Sequence, residues 1–335
     1  MALIGTGAWG LTLAPILARN GVPTTLWTRT TDEAEAIRTT RRHPERLTDA
    51  RLPDSLQITA DLPAALANAG VVIVAVPSQT MRANAQRMAP HLPADAIVVS
   101  ASKGLEVETC QRMTEVLATA LPNTPSERIA ALSGPNLARE VMAGLPATTV
   151  VAARTEAGAL QVQRLLMCAT FRVYTHNDVV GVELGGALKN IVALGAGLGD
   201  GLGLGDNAKS AFMTRGLAEI ARLGVAAGAH PLTFSGLAGL GDLVATCSSP
   251  FSRNRRTGEQ LARGGLLETI QAELGGVAEG VPTTRAARRL ARRLGVEMPI
   301  TELMYAVLFE GKDPREASLE LMARDPKHEL AGLGM

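Results

Sequence analysis

A single lysine interrupts a long apolar stretch of this sequence, and its type and setting point to acid–base chemistry. Between Glu183 and Gly199 the only polar side chains are those of Glu183, Lys189 and Asn190. The apolar residues recur at steps of three, four and seven, which predicts a buried helix. Burial disfavours a charged ammonium, so a buried lysine can serve as a general acid or base. Lys189 is therefore the first catalytic candidate; the alternative is a lysine whose ammonium reaches solvent from a core helix.

The scarcity of lysine favours the chemical interpretation. The 33 basic residues comprise five lysines and therefore 28 arginines. Arginine keeps its proton throughout the physiological range, whereas lysine can lose one. A lysine retained in such a chain is expected to do something that arginine cannot.

Polar groups downstream of this helix could complete a site around Lys189. If the segment after Gly241 is helical, Asp242 and Thr246 lie one turn apart on one face. Arg253 and Asn254 then place a planar cation beside an amide, a pair suited to a phosphate oxyanion. A basic surface loop is the alternative for this second pair.

The amino terminus carries the sequence signature of a dinucleotide site. A predicted strand, Ala2–Ile4, precedes the motif GTGAWG, and a helical pattern follows it. In this context Gly5 permits the tight turn, Gly7 lets the backbone approach a pyrophosphate, and Gly10 lets helix and strand pack closely. The first turn of the helix offers free N–H groups to the phosphates. The alternative is a glycine-rich turn without a ligand.

The residue that follows the second strand bears on the choice of cofactor. Thr24–Thr28 is predicted to be this strand, and Arg29 stands where an NAD-specific site carries an acid for the ribose 2′-hydroxyl. Because arginine can pair with a 2′-phosphate, the position favours NADP(H) and leaves NAD(H) open. Asp32 and Glu33 follow closely, and either could be the ribose acid instead.

Apolar runs alternate with helical patterns up to about residue 175. Val71–Val76 and Ala96–Ser100 are predicted to be central parallel strands, buried on both faces. Ligands of such sheets bind at the carboxyl ends of the strands, where Lys103 would be a second positive group. A lysine that closes an exposed turn is the alternative. The alternation predicts a doubly wound, Rossmann-type parallel sheet.

Strand signals end beyond residue 177, and the rest of the chain is predicted to be helical. We therefore predict an α/β protein with a nucleotide-binding domain over residues 1–177 and an all-helical substrate-binding domain over residues 178–335. Gly258–Leu274 is predicted to be a single helix. The arginines of a later helix are predicted to form a solvated face: Arg285, Arg288, Arg289, Arg292 and Arg293.

Composition argues against several functional classes. The chain is 46% hydrophobic and 19% charged, typical of a globular protein large enough for two domains. A net charge of +1 gives no general attraction to nucleic acid or to an anionic membrane. We expect no apolar run long enough to span a bilayer and no signal peptide. The three isolated cysteines predict reduced thiols in a cytoplasmic protein, without metal-ligand spacing.

The motifs taken together resemble those of the bacterial NAD(P)-dependent glycerol-3-phosphate dehydrogenases. GTGAWG, VPSQ, SKG, LSGPN, ELGGALKN, GLGDNAK, GLGDLVATC, SRNRR and EGVPTTRA occur in the order found in that family, from end to end. ELGGALKN, and GLGDLVATC followed by SRN, are specific to this family rather than to dinucleotide-binding folds in general. The resemblance covers the whole chain.

The resemblance implies reversible hydride transfer between a nicotinamide and C2 of dihydroxyacetone phosphate or sn-glycerol 3-phosphate, supplying phospholipid synthesis. It implies a helical domain like that of 6-phosphogluconate dehydrogenase, and a homodimer is compatible with it. Lys189 would be the proton donor or acceptor, with Lys103, Asp242, Asn190 and Thr246 assisting. The positions implied for the substrate are Lys103, Gly134, Asn136, Lys189, Asp242, Ser252, Arg253 and Asn254. Those implied for the cofactor, beside Gly5, Gly7 and Gly10, are Ala8, Trp9, Arg29, Lys103, Ala138, Arg253, Val277 and Glu279.

The chain departs from the family pattern at several positions. Ala8 occupies a position that is commonly Ser, and Asn136 one that is commonly Ser or Thr, so the side-chain hydrogen bonds there are expected to differ. Arg46 takes the place of an aromatic residue. Two other classes stay open: a hydroxy-acid dehydrogenase of the same architecture, and a nucleotide-sensing module in which Lys189 is structural.

Overall fold

The computed structural model describes residues 1–326 and 328 and divides into two compact units. Lys327 and residues 329–335, the end of the predicted helical domain, lie outside the described part. The first unit comprises residues 1–103 and 113–179, and the second comprises residues 104–112 and the chain from residue 180 onward. The segment 104–112, which the sequence division placed in the first domain, packs with the helical unit instead. Leu105 and Cys110 from this segment are buried in the helical core.

The first unit is built on one eight-stranded sheet in the order β3-β2-β1-β4-β5-β6-β7-β8. The central strands are short apolar runs with every residue buried, because helices cover both faces. The strands are β1 (Ala2–Ile4), β2 (Thr25–Trp27), β3 (Gln57–Thr59), β4 (Val71–Val74), β5 (Ile97–Ser100), β6 (Ile129–Ser133), β7 (Ala147–Ala153) and β8 (Phe171–His176).

The prediction of a parallel sheet is correct except at one pairing. Strand β6 pairs with β7 in antiparallel register, Ser133 opposite Val150, whereas the other six pairings are parallel. An apolar run indicates a buried strand but carries no information about its direction, so the sequence could not reveal this reversal.

Two hydrophobic clusters, one on each face, hold the sheet to its helices. One contains Leu13 and Val162, and the other contains Met81 and Val116. Their separation onto opposite faces is the doubly wound arrangement that the alternation of strands and helices predicts. The helices of this unit are α1 (Ala8–Arg19), α2 (Thr31–Thr40), α3 (Leu62–Leu66), α4 (Met81–Met88), α5 (Met113–Ala120), α6 (Ala138–Met142) and α7 (Glu156–Leu166).

The second unit is organised around one long helix, α8 (Val179–Leu202). Its 24 residues include an 18-residue window with a mean hydropathy of 1.4, which is long and apolar enough to cross a membrane, so the expectation that no such run exists is wrong. However, 89% of its most apolar window is buried inside the protein, which identifies α8 as a core helix. The other helices are α9 (Gly205–Ala226), α10 (Asp242–Ser248), α11 (Arg253–Ala262), α12 (Leu267–Glu273), α13 (Gly280–Leu294), α14 (Pro299–Phe309) and α15 (Pro314–Met322).

One prediction for this unit is wrong, and a second is correct only in part. The single helix expected over Gly258–Leu274 is interrupted between α11 and α12, because Gly264 adopts a φ of +86° that ends α11. Of the five arginines expected to form a solvated face on α13, all but Arg288 are exposed, yet four have partners in the described part of the chain, including Arg292 with Glu302. Arg288 pairs with Glu302 at 2.6 Å, the Arg285 guanidinium stacks on Phe309 at 4.1 Å, and Arg289 donates to backbone carbonyls of the segment 104–112. Most of these partners lie on α14, so the periodicity of α13 alone could not reveal them.

Candidate active site

The glycine-rich turn between β1 and α1 has the shape that a pyrophosphate needs. Gly5 has a φ of +108°, and a Cβ there would lie 2.7 Å from the carbonyl oxygen of Ala75. A Cβ at Gly10 would collide with the carbonyl oxygen of Gly5, so helix and turn approach as closely as glycine allows. Gly7 begins α1 without a side-chain cap, which leaves the first N–H groups of the helix for an anion. The turn therefore fits a dinucleotide.

The neighbours of this turn include three further cofactor positions. Ala8 and Trp9 form the first turn of α1, and the Trp9 ring packs against Phe171 with ring centroids 6.1 Å apart. Ala138 is the first residue of α6, and its carbonyl oxygen accepts a hydrogen bond from Thr12 of α1 at 3.3 Å. That bond fixes α6 beside the helix that starts at the glycine-rich turn.

Two kinds of side chain after β2 could bind the cofactor ribose, the Arg29 cation or the carboxylates of Asp32 and Glu33, and the structure distinguishes them. Arg29 is exposed, and its guanidinium has no carboxylate partner among residues 1–326 and 328. Glu33 accepts hydrogen bonds from Thr6 Oγ1 at 2.5 Å, from His43 Nε2 at 3.1 Å and from the Arg29 backbone N–H at 3.3 Å. The hydrogen bond from His43 is the main cause that lowers the pKa of Glu33 to about 2. Glu33 is thus an internal anion, and Asp32 remains an exposed carboxylate.

His43 and Thr6 belong to this cluster, and the sequence analysis missed both. His43 is 4% exposed, and its Nδ1 accepts the backbone N–H groups of Glu45 and Arg46 at 3.0 and 3.1 Å. Because Nδ1 accepts these two N–H groups, we assign the ring proton to Nε2, which then donates to Glu33; Arg46 Nη1 lies 3.2 Å from the same nitrogen. Only part of the cluster had a sequence signal: Thr30 and Glu33 match the capping-box pattern, and the Thr30 hydroxyl caps α2.

The carboxyl edge of the sheet brings Lys103 to the end of β6. Lys103 Nζ donates to the carbonyl oxygen of Gly134 at 2.7 Å, so these two substrate positions are in contact. The Asn136 side chain is used inside the protein, since its amide nitrogen donates to Thr148 O at 2.8 Å and its oxygen accepts from Thr149 Oγ1 at 2.9 Å. These bonds hold the end of β6 to the antiparallel strand β7. The buried Ser133 hydroxyl, by contrast, lacks a hydrogen-bond partner in the described part of the chain.

Lys189 lies in the middle of α8 and is buried, as the apolar periodicity predicts. Its Nζ donates to Asp242 Oδ1 at 2.9 Å and to Thr246 Oγ1 at 2.5 Å, and Thr246 donates in turn to the same carboxylate oxygen at 3.2 Å. The side chains of Lys189 and Asp242 are 7% and 2% exposed. An ammonium has three donors, so two are used here and the third has no acceptor among the described residues.

Local backbone structure explains how Asp242 and Thr246 reach Lys189. Residues Leu237–Gly241 form a π-helical turn that leads directly into α10, on which Asp242 and Thr246 lie one turn apart as predicted. Gly185 lets α8 approach this turn, because a Cβ there would lie 2.7 Å from Ala238 O. Isolated π turns are frequent at functional sites. The neighbouring Cys247 does not join the chemistry, since burial raises the pKa of its thiol to about 12.

The remaining predicted residues begin helices of the same unit. Ser252 caps α11, its hydroxyl accepting the Arg255 N–H at 3.2 Å. Arg253 is exposed and its guanidinium lies against Gly276. Val277 is 41% exposed, and Glu279 immediately precedes α13. Asn254 and Asn190 are buried and hydrogen-bonded to each other at 2.8 Å.

The predicted site residues therefore form two groups. The nucleotide turn, Arg29 and the Lys103–Gly134 pair lie in the sheet unit, whereas the Lys189 cluster and the start of α11 lie in the helical unit. Among residues 1–326 and 328 no group of three or more His, Cys, Asp or Glu side chains is placed to hold a metal ion.

A dinucleotide turn on a largely parallel sheet, together with a buried lysine in a helical unit, defines the class of two-domain nicotinamide-dependent oxidoreductases. Family models described as the N-terminus and the C-terminus of NAD-dependent glycerol-3-phosphate dehydrogenase match residues 1–159 and 178–318. The chain belongs to this family.

Individual relatives and solved structures agree with this assignment. The chain is 51% identical to glycerol-3-phosphate dehydrogenase (NAD(P)+) of Dehalococcoides mccartyi, over 99% of this chain and 93% of the relative. It is also 51% identical to the protein of the same name from Streptomyces griseus, over 98% and 97% of the two chains. The crystal structure of glycerol-3-phosphate dehydrogenase from Coxiella burnetii matches with a TM-score of 0.92 and 37% identity, over 96% of this chain and 98% of the other.

Proposed function

We propose that this chain transfers a hydride between NAD(P)H and C2 of dihydroxyacetone phosphate, giving sn-glycerol 3-phosphate, with Lys189 as the general acid and base. The observation that carries the proposal is the buried ammonium of Lys189, held by Asp242 and Thr246 with one donor left. Family membership and the NAD(P)+-dependent names of the relatives support the reaction.

The residues of the helical unit account for the proton and the charge. NAD(P)H held at the glycine-rich turn would supply the hydride to C2, and the π electron pair of the carbonyl group would move onto its oxygen. Lys189 donates its third N–H to that oxygen, stabilises the developing charge and then transfers the proton, leaving a neutral amine to be reprotonated by solvent. Asp242 and Thr246 keep the ammonium in one orientation before the step. The reverse reaction uses the neutral amine of Lys189 as base.

The start of α11 is suited to the phosphate of the substrate. Arg253 offers a planar set of donors at the helix N-terminus, where backbone N–H groups add a partial positive charge. Fixing the phosphate orients C2 toward the hydride donor, and positioning of this kind contributes about 7 kcal/mol or more in well-oriented reactions. Lys103 and Gly134 are further substrate contacts by family resemblance, and within the sheet unit Lys103 Nζ donates to Gly134 O at 2.7 Å.

The cofactor site favours NADP(H) in this proposal and accepts NAD(H). Arg29 lies exposed after β2 without a carboxylate partner in the described part of the chain, whereas Glu33 already accepts three hydrogen bonds. A 2′-phosphate would pair with Arg29, whereas a 2′-hydroxyl would have the exposed Asp32 as its acid, because Glu33 is already engaged. Val277, Glu279 and Ala138 are further cofactor contacts by family resemblance.

The wider setting follows from the same function. The product would enter phospholipid synthesis in the cytoplasm by family resemblance, and the burial of α8 supports a globular fold. We propose the domain limits 1–177 and 178–335, apart from the segment 104–112 described above. A homodimer belongs to the proposal on family resemblance alone.

Oxidation of NADPH and of NADH on mixing with dihydroxyacetone phosphate tests the function. Both cofactors should be oxidised, with NADPH preferred, and dihydroxyacetone without its phosphate should be a poor substrate. Oxidation with a keto acid in place of dihydroxyacetone phosphate would contradict the proposed substrate. Cofactor binding without any oxidation would support a sensing role instead.

A further inference from the structure

The Asn254 carboxamide connects three helices of the second unit. Its Nδ2 donates to Asn190 Oδ1 at 2.8 Å, and its Oδ1 accepts the backbone N–H of Gly280 at 2.9 Å. Asn190 and Asn254 are only 4% and 8% exposed. Buried hydrogen bonds of this kind are costly to break, because each unsatisfied group loses its partner without regaining water. The carboxamide thus ties α8, α11 and the first residue of α13 together.

Each residue in this connection is the chain neighbour of a residue in the proposed site. Asn190 follows Lys189 on α8, Asn254 follows Arg253 on α11, and Gly280 follows Glu279 at the start of α13. A displacement of any of these helices would therefore move the proton donor, the phosphate ligand or a cofactor contact relative to the others.

The backbones of the same helices meet without intervening side chains. A Cβ at Gly258 of α11 would collide with Leu194 O of α8, and a Cβ at Gly280 would lie 2.6 Å from Asn190 O. Contacts between backbones have no side chain that can rotate to absorb a shift. The seam between α8 and α11 is further held by Arg255, whose Nε donates to Asp200 at 2.5 Å.

We propose that Asn190 is a positioning residue, which acts through Asn254 to hold Arg253 at a fixed distance from Lys189. Asn190 exchanges no proton with the substrate. The inference rests on the proposed function, since it assigns Lys189 and Arg253 their roles there. Its physical reason is that a misplacement of about 1 Å can lower a rate by about 100-fold.

A double-mutant cycle with Asn190→Ala, Asn254→Ala and the combined variant tests the proposal. Each single change should lower kcat by about 10- to 100-fold, because each opens the same connection. The kcat of the combined variant should then be no more than about threefold lower than that of the less active single variant. Losses that multiply would show that the two asparagines act independently, and this would overturn the proposal.

Two further measurements distinguish a positioning role of Asn190 from a role in proton transfer and from a general loss of structure. The pH dependence of kcat should be the same in Asn190→Ala as in wild type, and a displaced profile would assign Asn190 to proton transfer and overturn the proposal. Asn207→Ala, which removes an exposed amide on α9, is the matched control and should keep wild-type turnover. Gly258→Ala should lower kcat while both amides remain, because it forces α8 and α11 apart.

The design keeps this inference distinct from the proposed function. Wild-type turnover with dihydroxyacetone phosphate reports on the function, whereas the comparison among the four variants reports on Asn190. The same cycle measured on the affinity for inorganic phosphate requires no turnover, and the two asparagines should again be coupled. If Asn254→Ala does not fold, Asn254→Ser takes its place in the cycle. Coupled losses of kcat would again support the proposal, and losses that multiply would again overturn it.

Discussion

The sheet unit and the helical unit each hold one charged side chain among hydrogen-bond partners, half-buried Glu33 and buried Lys189, and the two differ in how many hydrogen bonds they have left to make. Glu33 in the sheet unit accepts hydrogen bonds from Thr6, His43 and the Arg29 backbone. Lys189 in the helical unit gives two of its three donors to Asp242 and Thr246. The Glu33 carboxylate accepts three hydrogen bonds, whereas the Lys189 ammonium keeps one donor for a ligand.

This difference distinguishes a structural ion from a reactive one. The Glu33 carboxylate is stabilised as an anion, so it holds the glycine-rich turn and the loop around His43 in place. The Lys189 ammonium is oriented by its partners but not fully occupied, which suits a group that must give up a proton and take it back. The number of hydrogen bonds that each charged group has left to make separates the two cases.

The largest expected effect belongs to Lys189→Met. General acid catalysis contributes about 100- to 10,000-fold, so turnover with dihydroxyacetone phosphate should fall within this range. The affinity for NADPH should change by less than about threefold, because the interaction is made mainly in the transition state. Steady-state kinetics and fluorescence titration of NADPH measure the two quantities.

Lys209→Met is the matched control for this change. Lys209 also forms a half-buried ion pair, with Nζ 2.9 and 3.0 Å from the two Asp200 oxygens, but it lies on α9. Its loss should leave turnover within about threefold of wild type. Equal losses in the two lysine variants would mean that Lys189 stabilises the fold and nothing more.

A smaller effect is expected from Arg29→Asp on the choice of cofactor. The change removes the cation proposed to meet the 2′-phosphate and supplies an acid for a 2′-hydroxyl. The ratio of kcat/KM for NADPH to that for NADH should fall by about 10- to 100-fold, in line with the loss of one charge-assisted contact. Arg38→Asp, on the exposed side of α2, should leave the ratio unchanged. An unchanged ratio in Arg29→Asp would place recognition of the 2′ group elsewhere.

The smallest expected effect is the pH dependence of stability that Glu33 contributes. The pKa of Glu33 is lowered from 4.5 to about 2, first by the hydrogen bond from His43, so its contribution is present above pH 4.5 and is lost as the pH falls toward 2. After discounting for solvent screening, the contribution to the free energy of unfolding is about 2 kcal/mol. Urea unfolding should show Glu33→Gln less stable than wild type near neutral pH, with the difference shrinking by half or more near pH 3.

Glu35→Gln provides the control on the same helix, because Glu35 is exposed and should contribute little at any pH. A difference between wild type and Glu33→Gln that stays constant from neutral pH to pH 3 would refute the interpretation of Glu33 as a stabilised anion.

The sequence predicted those features that depend on short-range patterns. The burial of Lys189 follows from the apolar periodicity of α8, and the contact of Asp242 with Thr246 follows from their spacing on α10. The dinucleotide turn follows from three glycines between a strand and a helix. Each of these predictions depends only on residues that are close to one another in the sequence.

Features that depend on distant residues could not be predicted. Glu33 accepts hydrogen bonds from Thr6 and His43, which are 27 and 10 positions away in the sequence. Only the folded structure therefore shows that Glu33 is already engaged and is not a free acid for the cofactor ribose. The engagement of Asn136 depends on the antiparallel direction of β7, which an apolar run does not encode. The partners of the α13 arginines likewise come from another helix.

The role of the unused donor on Lys189 can be tested most directly by chemical rescue of Lys189→Ala. This substitution leaves a space beside Asp242 and Thr246 that a small alkylammonium ion can enter. Turnover of NADPH with dihydroxyacetone phosphate should rise with the concentration of ethylammonium or propylammonium, while propanol, which cannot supply the charge, should have no effect. Turnover that does not respond to the amines, or responds equally to propanol, would contradict Lys189 as the proton donor.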